Sequence, residues 1–146
     1  MTDSLSYTYD KFTFEVAADL LYSAAGVWAR AEGGQITTGV SDFFQQRNGD
    51  VAFAEIEDVG TAVSAGKPFV DIETIKLDIE LPCPVSGQIS AINESLEMEA
   101  ELINQDPYGE GWLAVIESNN WAEAAASLMT PEAYLAHIKV EAEAGE

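Results

Sequence analysis

At 146 residues, 47% hydrophobic and 22% charged, the chain has the length of one globular domain with enough apolar material for a core. Six basic residues against 26 acidic ones give a net charge of −20; this excludes nucleic acid and anionic membrane surfaces as partners, and leaves a basic protein surface as the one that charge steers toward it. No apolar run approaches the ~18 residues of a membrane span, and Met1–Asp10 lacks the basic-then-apolar pattern of a secretory leader, so the default expectation is cytoplasmic.

In residues 1–18 Tyr7, Tyr9, Phe12 and Phe14 alternate with polar positions, which suits a first strand or an ordered arm. A main domain is expected over 19–140. Asp19–Tyr22 leads into Val27–Glu32, read as a half-exposed strand, with Gly33-Gly34 as the hairpin turn and Gln35–Val40 as the return strand. Ser41 reads as the N-cap of a short helix, with a capping box shifted by one onto Phe44-Gln45, and Asn48-Gly49 ends it. Val51–Ile56 is another strand, Asp58-Val59-Gly60 a turn, and Thr61–Gly66 an approach to the next strand. After a bend at Pro82 and Pro84, Gly87–Ile92 alternates as a strand and Glu94–Leu102 holds one helical turn. Asp106–Gly111 is a turn by its Pro and Gly content, and Trp112–Ile116 a buried strand. The period becomes helical over 121–128, and Thr130-Pro131-Glu132 opens a last helix; the acidic residues 141–146 read as a frayed tail. Many short strands with minor helices predict a mainly β protein, a small sandwich or flattened barrel with a C-terminal helix.

One lysine stands apart. Lys76, one of four in the chain, lies at the centre of an alternating stretch. Val70, Ile72 and Thr74 share one parity before it, and Leu77, Ile79 and Leu81 alternate with Asp78 and Glu80 after it. Period-2 runs on both sides of a short polar centre predict a β-hairpin with Lys76 at its tip. No Asn-Gly or Asp-Gly pair specifies a tight primed turn there. The lone Cys83 excludes an internal disulfide framework and reads as a small buried filler between two prolines. His137, in the last helix and far from Cys83, reads as surface or helix packing, so neither a Cys/His metal cluster nor a Ser-His-Asp arrangement is assembled. The glycines are scattered at turns and form no phosphate loop.

These residues carry a resemblance. Glu73-Thr74-Ile75-Lys76 followed by Pro84-Val85-Ser86-Gly87, with Glu three before the lysine and Gly eleven after it, resembles a lipoyl-attachment hairpin. Thr38-Gly39-Val40-Ser41-Asp42, Gly49–Phe53, Asn93-Glu94-Ser95-Leu96 and Leu102–Trp112 extend the likeness to the glycine cleavage H-protein family over residues 20–138. The resemblance implies a lipoyl-type β-sandwich whose Lys76 bears lipoate in amide linkage, with Glu73 and neighbouring acids read by a lipoate ligase or lipoyl transferase. It implies a carrier and not an enzyme. Biotin, the rival cofactor, usually sits between methionines, whereas Lys76 lies between Ile75 and Leu77.

The chain departs from the family where His-Glu-Trp commonly stands: here it is Gly26-Val27-Trp28. In the family that glutamate helps hold the ammonium of an aminomethyl group on the arm, a task Val27 lacks the atoms for. Phe43 stands where the family commonly has His, and Glu80 keeps a carboxylate where it often has Asp. With Val27, Phe43 and Glu80 read as the arm's surroundings, the chain resembles more closely the divergent H-protein-like lipoate-binding proteins of sulfur oxidation, whose arm carries sulfur-bearing intermediates with a heterodisulfide-reductase-like complex. The alternative is glycine cleavage itself. A third, of another class, is an unlipoylated β-fold adaptor in which Lys76 is only a surface charge.

Overall fold

The computed structural model describes residues 4–144. Those residues form eleven strands: β1 Ser4–Tyr9, β2 Phe12–Ala17, β3 Leu21–Tyr22, β4 Val27–Glu32, β5 Gln35–Val40, β6 Val51–Ile56, β7 Ala62–Val63, β8 Pro68–Thr74, β9 Asp78–Pro82, β10 Gly87–Ile92 and β11 Ala114–Glu117. The helices are α1 Asp42–Asn48, α2 Leu102–Gln105, α3 Trp121–Ser127 and α4 Pro131–Ala144, with a 3-10 turn at Glu94–Glu97. A six-stranded antiparallel sheet in the order β3-β4-β5-β11-β10-β7 packs on a three-stranded sheet, β6-β8-β9, and β1-β2 form a separate hairpin. The expected mainly β sandwich with a C-terminal helix is what forms. Among the described residues no helix is long and apolar enough to cross a membrane.

Local chemistry explains most boundaries. Ser41 Oγ accepts from Phe44 N at 3.1 Å as the N-cap of α1, and Gly49 ends it at φ 84°, a left-handed conformation that disfavours a side chain. Only half of the anticipated capping box forms, because Ser41 N donates to Gly26 O at 2.9 Å and Gln45 Oε1 accepts from Asn104 Nδ2 at 3.2 Å instead. Thr130 Oγ1 accepts from Ala133 N at 3.2 Å and Pro131 fills the first position of α4. The last buried strand begins at Ala114, two residues later than its apolar pattern suggests, because Trp112 belongs to the turn whose carbonyl Asn93 Nδ2 holds at 2.8 Å.

Two expectations fail for identifiable reasons. Val27–Glu32 is open to solvent only toward its end: Val27, Trp28 and Ala29 are all buried, Arg30 and Ala31 half-buried and Glu32 exposed. Val27 and Ala29 face the main core between the sheets, and Trp28 faces a second core built by β1-β2, Phe43 and α4. Nor do residues 141–144 fray, since α4 runs through Ala144, with Arg47 Nη1 donating to Glu141 O at 3.0 Å and Tyr7 OH to Glu143 Oε2 at 3.0 Å. Residues 145 and 146 of that segment lie outside the described residues. The first-strand reading of the N-terminus becomes a two-stranded hairpin, turned at Asp10 with φ 57°; residues 1–3 lie outside the description.

Several family-like motif residues have packing reasons. A Cβ on Gly39 would meet the Trp28 indole at 2.5 Å, and that indole donates from Nε1 to Pro107 O at 3.0 Å. On Gly87 it would stand 2.1 Å from the Glu117 carbonyl oxygen, and on Gly111 2.5 Å from Leu102 O. Cys83 is buried as expected, its thiol donating to Val85 O at 3.1 Å, and burial pushes that thiol up to about 11. His137 packs on the Tyr134 ring with Nε2 2.6 Å from Glu141 Oε1.

Two outcomes are expected. Gly87→Ala must shift β10 away from β11, costing about 2 kcal/mol by overpacking and lowering Tm by roughly 4–8 °C in a thermal melt. Between about pH 9 and 11 the unfolded Cys83 thiol ionises while the folded one holds its proton, so the unfolded state binds fewer protons and stability falls as pH rises. Cys83→Ala should flatten that alkaline fall in urea titrations at pH 8.5 and 10.5.

Candidate functional site at the Lys76 hairpin

The hairpin β8-β9 presents Lys76 as the alternation predicts. Ile72 pairs with Ile79 and Glu73 with Asp78, which leaves Ile75, Lys76 and Leu77 at the tip, all exposed. Val70, Ile72, Thr74 and Leu81 turn inward, whereas Asp71, Glu73, Asp78 and Glu80 turn outward. No left-handed residue occurs at the tip. The turn is held instead by Thr74, whose N–H donates to Leu77 O at 2.9 Å. Its hydroxyl accepts from Lys76 N at 3.2 Å and from Leu77 N at 3.1 Å, and lies 3.1 Å from Leu77 O. One nearly buried hydroxyl therefore satisfies both tip amides, the work that an Asn-Gly pair would do by backbone conformation. The threonine before the loop was the available signal for this role; in the sequence Thr74 stands out only by its place in the alternation and in the Glu73–Lys76 motif.

The lysine stem passes over the end of α1. A Cβ on Gly49 would stand 3.9 Å from Lys76 Cε. Asn104 anchors that helix end, donating from Nδ2 to Gly49 O at 3.0 Å and accepting from Val51 N at 2.9 Å through Oδ1. The base under Lys76 is thus fixed at two points, by Thr74 within the hairpin and by Asn104 beneath it. Only the side chain is left to move.

A cavity of about 420 Å³ opens beside Lys76, with Phe43 and Arg47 of α1 in its wall. Phe43 also lines a second cavity of about 290 Å³ with Gly26, Phe44, Ile79 and Tyr134. The Arg47 guanidinium sits 5.5 Å from the centre of the Phe43 ring, a cation–π contact. Arg47 and Ile79 are members of this neighbourhood that the sequence reading did not single out; the parity of β9 was the available signal for Ile79.

The anticipated site residues divide. Lys76 and Phe43 come together. Glu80 does not join them: the period of two turns it outward beside Asp71, its cross-strand partner, in an acidic cleft with Glu55, Glu57 and Asp58. Val27 is wholly enclosed in the main core beside Val40 and lines neither cavity at Phe43. Gly87 lies in the six-stranded sheet, where the close approach of Glu117 accounts for it. Glu73 is exposed, three residues from the lysine, on the outward acidic face.

Thr74→Val is expected to loosen the tip selectively. Amide exchange at Lys76 and Leu77 should quicken by roughly tenfold, with a global loss of about 1–2 kcal/mol from the buried hydroxyl's bonds. Thr74→Ser should keep the slow exchange. Hydrogen exchange read by NMR checks both.

Residues 20–141 match the family model described as glycine cleavage H-protein. The chain is 41% identical over 127 residues to the glycine cleavage system H protein of Rubrobacter xylanophilus, spanning 87% of this chain and 98% of the relative. It is 42% identical over 124 residues to that of Symbiobacterium thermophilum, spanning 85% and 96%. A crystal structure of a glycine cleavage system H protein from Mycobacterium marinum superposes with a TM-score of 0.76 at 30% identity, covering 84% of this chain and 98% of that one. The strand order, the lysine-tipped hairpin and the glycine-rich turn after α2 all fall within the matched segment: the chain belongs to the glycine cleavage H-protein family, lipoyl carriers and not enzymes, which bear lipoate covalently on a lysine.

Proposed function

We propose that Lys76 is the lipoylated residue and that the chain carries an aminomethyl group between the enzymes of glycine cleavage. The observation that carries this reading is the exposed lysine on a Thr74-braced, Asn104-anchored tip, in a family that bears lipoate on a lysine. Bound there, the lipoyl group supplies a dithiolane on a long tether, and the protein supplies presentation and docking. The outward acids Asp71, Glu73, Asp78 and Glu80 give the attaching ligase or transferase, and the partner enzymes, an electrostatic target beside the lysine.

The sulfur-oxidation reading loses its main support. It took Val27 as part of an arm-binding wall stripped of its carboxylate, yet Val27 is enclosed in the core. Its apolar side chain answers a packing demand. The relatives compared above carry the glycine cleavage name.

The test has two stages. Co-expression with an active lipoate ligase should add the mass of one lipoyl group, and Lys76→Arg should abolish the addition; an unmodified wild-type chain would favour the adaptor reading. The lipoylated chain should then be loaded with an aminomethyl group by glycine decarboxylase and glycine, seen by intact mass. Lipoylation without loading would return the heterodisulfide-reductase-like system to first place.

A further inference from the structure

Strand β6 forms one edge of the three-stranded sheet and holds an aromatic side chain out in water. Its register on β8 shifts between Val51 and Phe53, so Ala52 is the extra residue of a bulge. Unbroken alternation from the buried Val51 would turn Phe53 inward as well. The bulge instead sets Phe53 opposite Glu73 on the outer face, where the ring is 50% exposed. Carboxylates surround it. Glu73 has Asp78 as its other cross-strand partner, and the neighbouring row across all three strands is Glu55, Asp71 and Glu80. Like charges directly opposite one another destabilise a free sheet, and among the described residues none of these five is in an ion pair. Phe53 also lines a groove of about 380 Å³ with Ile92 and Leu96; its charged residues, among those described, are Glu55, Asp58, Glu94 and Glu97. Through Glu55, Ile56 and Asp58 the groove continues into the acidic cleft at Asp71 and Glu80. An exposed ring and a continuous acidic surface thus share the sheet whose hairpin ends in Lys76.

Resting on the reading of the chain as a carrier for glycine cleavage, we propose that this face is the docking surface for an arginine-bearing segment of the enzyme that loads the arm, with a guanidinium stacked on Phe53 between the flanking carboxylates. Charge selects the class of occupant. A second copy of this chain would bring the same acidic rows and a net charge of −20 against it, and nucleic acid or an anionic membrane would be repelled. Chemistry then selects arginine over lysine. A planar guanidinium stacks on an aromatic face while its edge donates to carboxylates, whereas an ammonium is a compact, strongly hydrated charge. A basic segment seated there also removes the like-charge opposition in the two rows. The carrier is thereby held by a surface separate from the arm, and the Lys76 tip stays free to present what it bears.

The unlipoylated full chain is titrated by NMR with a blocked peptide of alternating arginine and leucine and with its lysine counterpart. Salt is held at about 0.15 M, where exposed charges are screened beyond roughly 8 Å. The arginine peptide should shift the amides of Phe53, Glu55 and Glu73 and bind several-fold more tightly than the lysine peptide. Phe53→Ser, which leaves the net charge unchanged, should weaken arginine-peptide binding roughly tenfold, and Phe53→Tyr should restore it. Val140→Ser, at an exposed apolar residue of α4, should bind as the wild type does. A thermal melt and a dispersed spectrum establish that each variant is folded. With the chain lipoylated, Phe53→Ser should raise KM for loading by glycine decarboxylase roughly tenfold and leave kcat unchanged. Equal binding of the two peptides, binding that survives Phe53→Ser, or an unchanged KM overturns the docking surface and leaves the carrier reading intact. A lipoylated wild type that glycine decarboxylase does not load overturns both, even where the peptide binds as expected.

Discussion

Strand β4 cannot reach water on either face over Val27-Trp28-Ala29, and much of the molecule is arranged to make that tolerable. Val27 and Ala29 hold the inner face against the second sheet, while the Trp28 indole lies across Gly39 and donates to the Pro107 carbonyl. Without Gly39 the indole has no room. Without the Asp106–Gly111 turn its N–H would be buried unpaired, at a cost of about 1–3 kcal/mol. The outer side is closed by α4 and the N-terminal hairpin, through Tyr22 stacked on Tyr134 at 4.5 Å and Phe14 against Phe43. Burial also raises the Tyr108 hydroxyl to about 12 and keeps it a proton donor, so its 2.6 Å bond to Glu15 O joins the turn to β2.

The same double burial marks where sequence reading succeeds and where it stops. Alternation was decisive for β8 and β9 because one face of that hairpin is solvated and the period of two survives. It misled at the start of β4, where Val27-Trp28-Ala29 is buried on both faces and has no polar side to display. The departure from the family pattern at Val27 misled for another reason: a missing carboxylate looks the same whether a site has been altered or the position has joined a core. Glu80 fails as an arm neighbour by parity alone: its strand places Ile79 toward α1 and Glu80 away from it. Ser41, Gly49 and Thr130 were legible because capping is local chemistry. Thr74 and Asn104 were not, since their roles depend on which backbone atoms the fold brings within reach. The cavity beside Lys76 was beyond any linear reading, as it joins residues 12, 43, 76 and 142.

Rigidity and mobility are divided sharply at the Lys76 tip. Thr74 fixes the two tip amides and Asn104 fixes the helix end below, so motion is confined to the lysine stem and whatever it bears. A tether on a fixed base samples a small volume, which keeps the effective concentration of its end high at nearby surfaces. The acids around the tip add a negative field there, which attracts a basic surface from a distance.

The buried Cys83 has a bearing on the cargo chemistry. A carrier whose working group cycles between disulfide and dithiol is exposed to capture by any thiolate on its own surface, which would form a mixed disulfide and strand the arm. The chain has one cysteine, and it is closed off from solvent and kept protonated far above neutral pH. The protein is therefore redox-silent toward its own prosthetic group. Electrons enter and leave the arm only where a partner supplies the other half of the exchange.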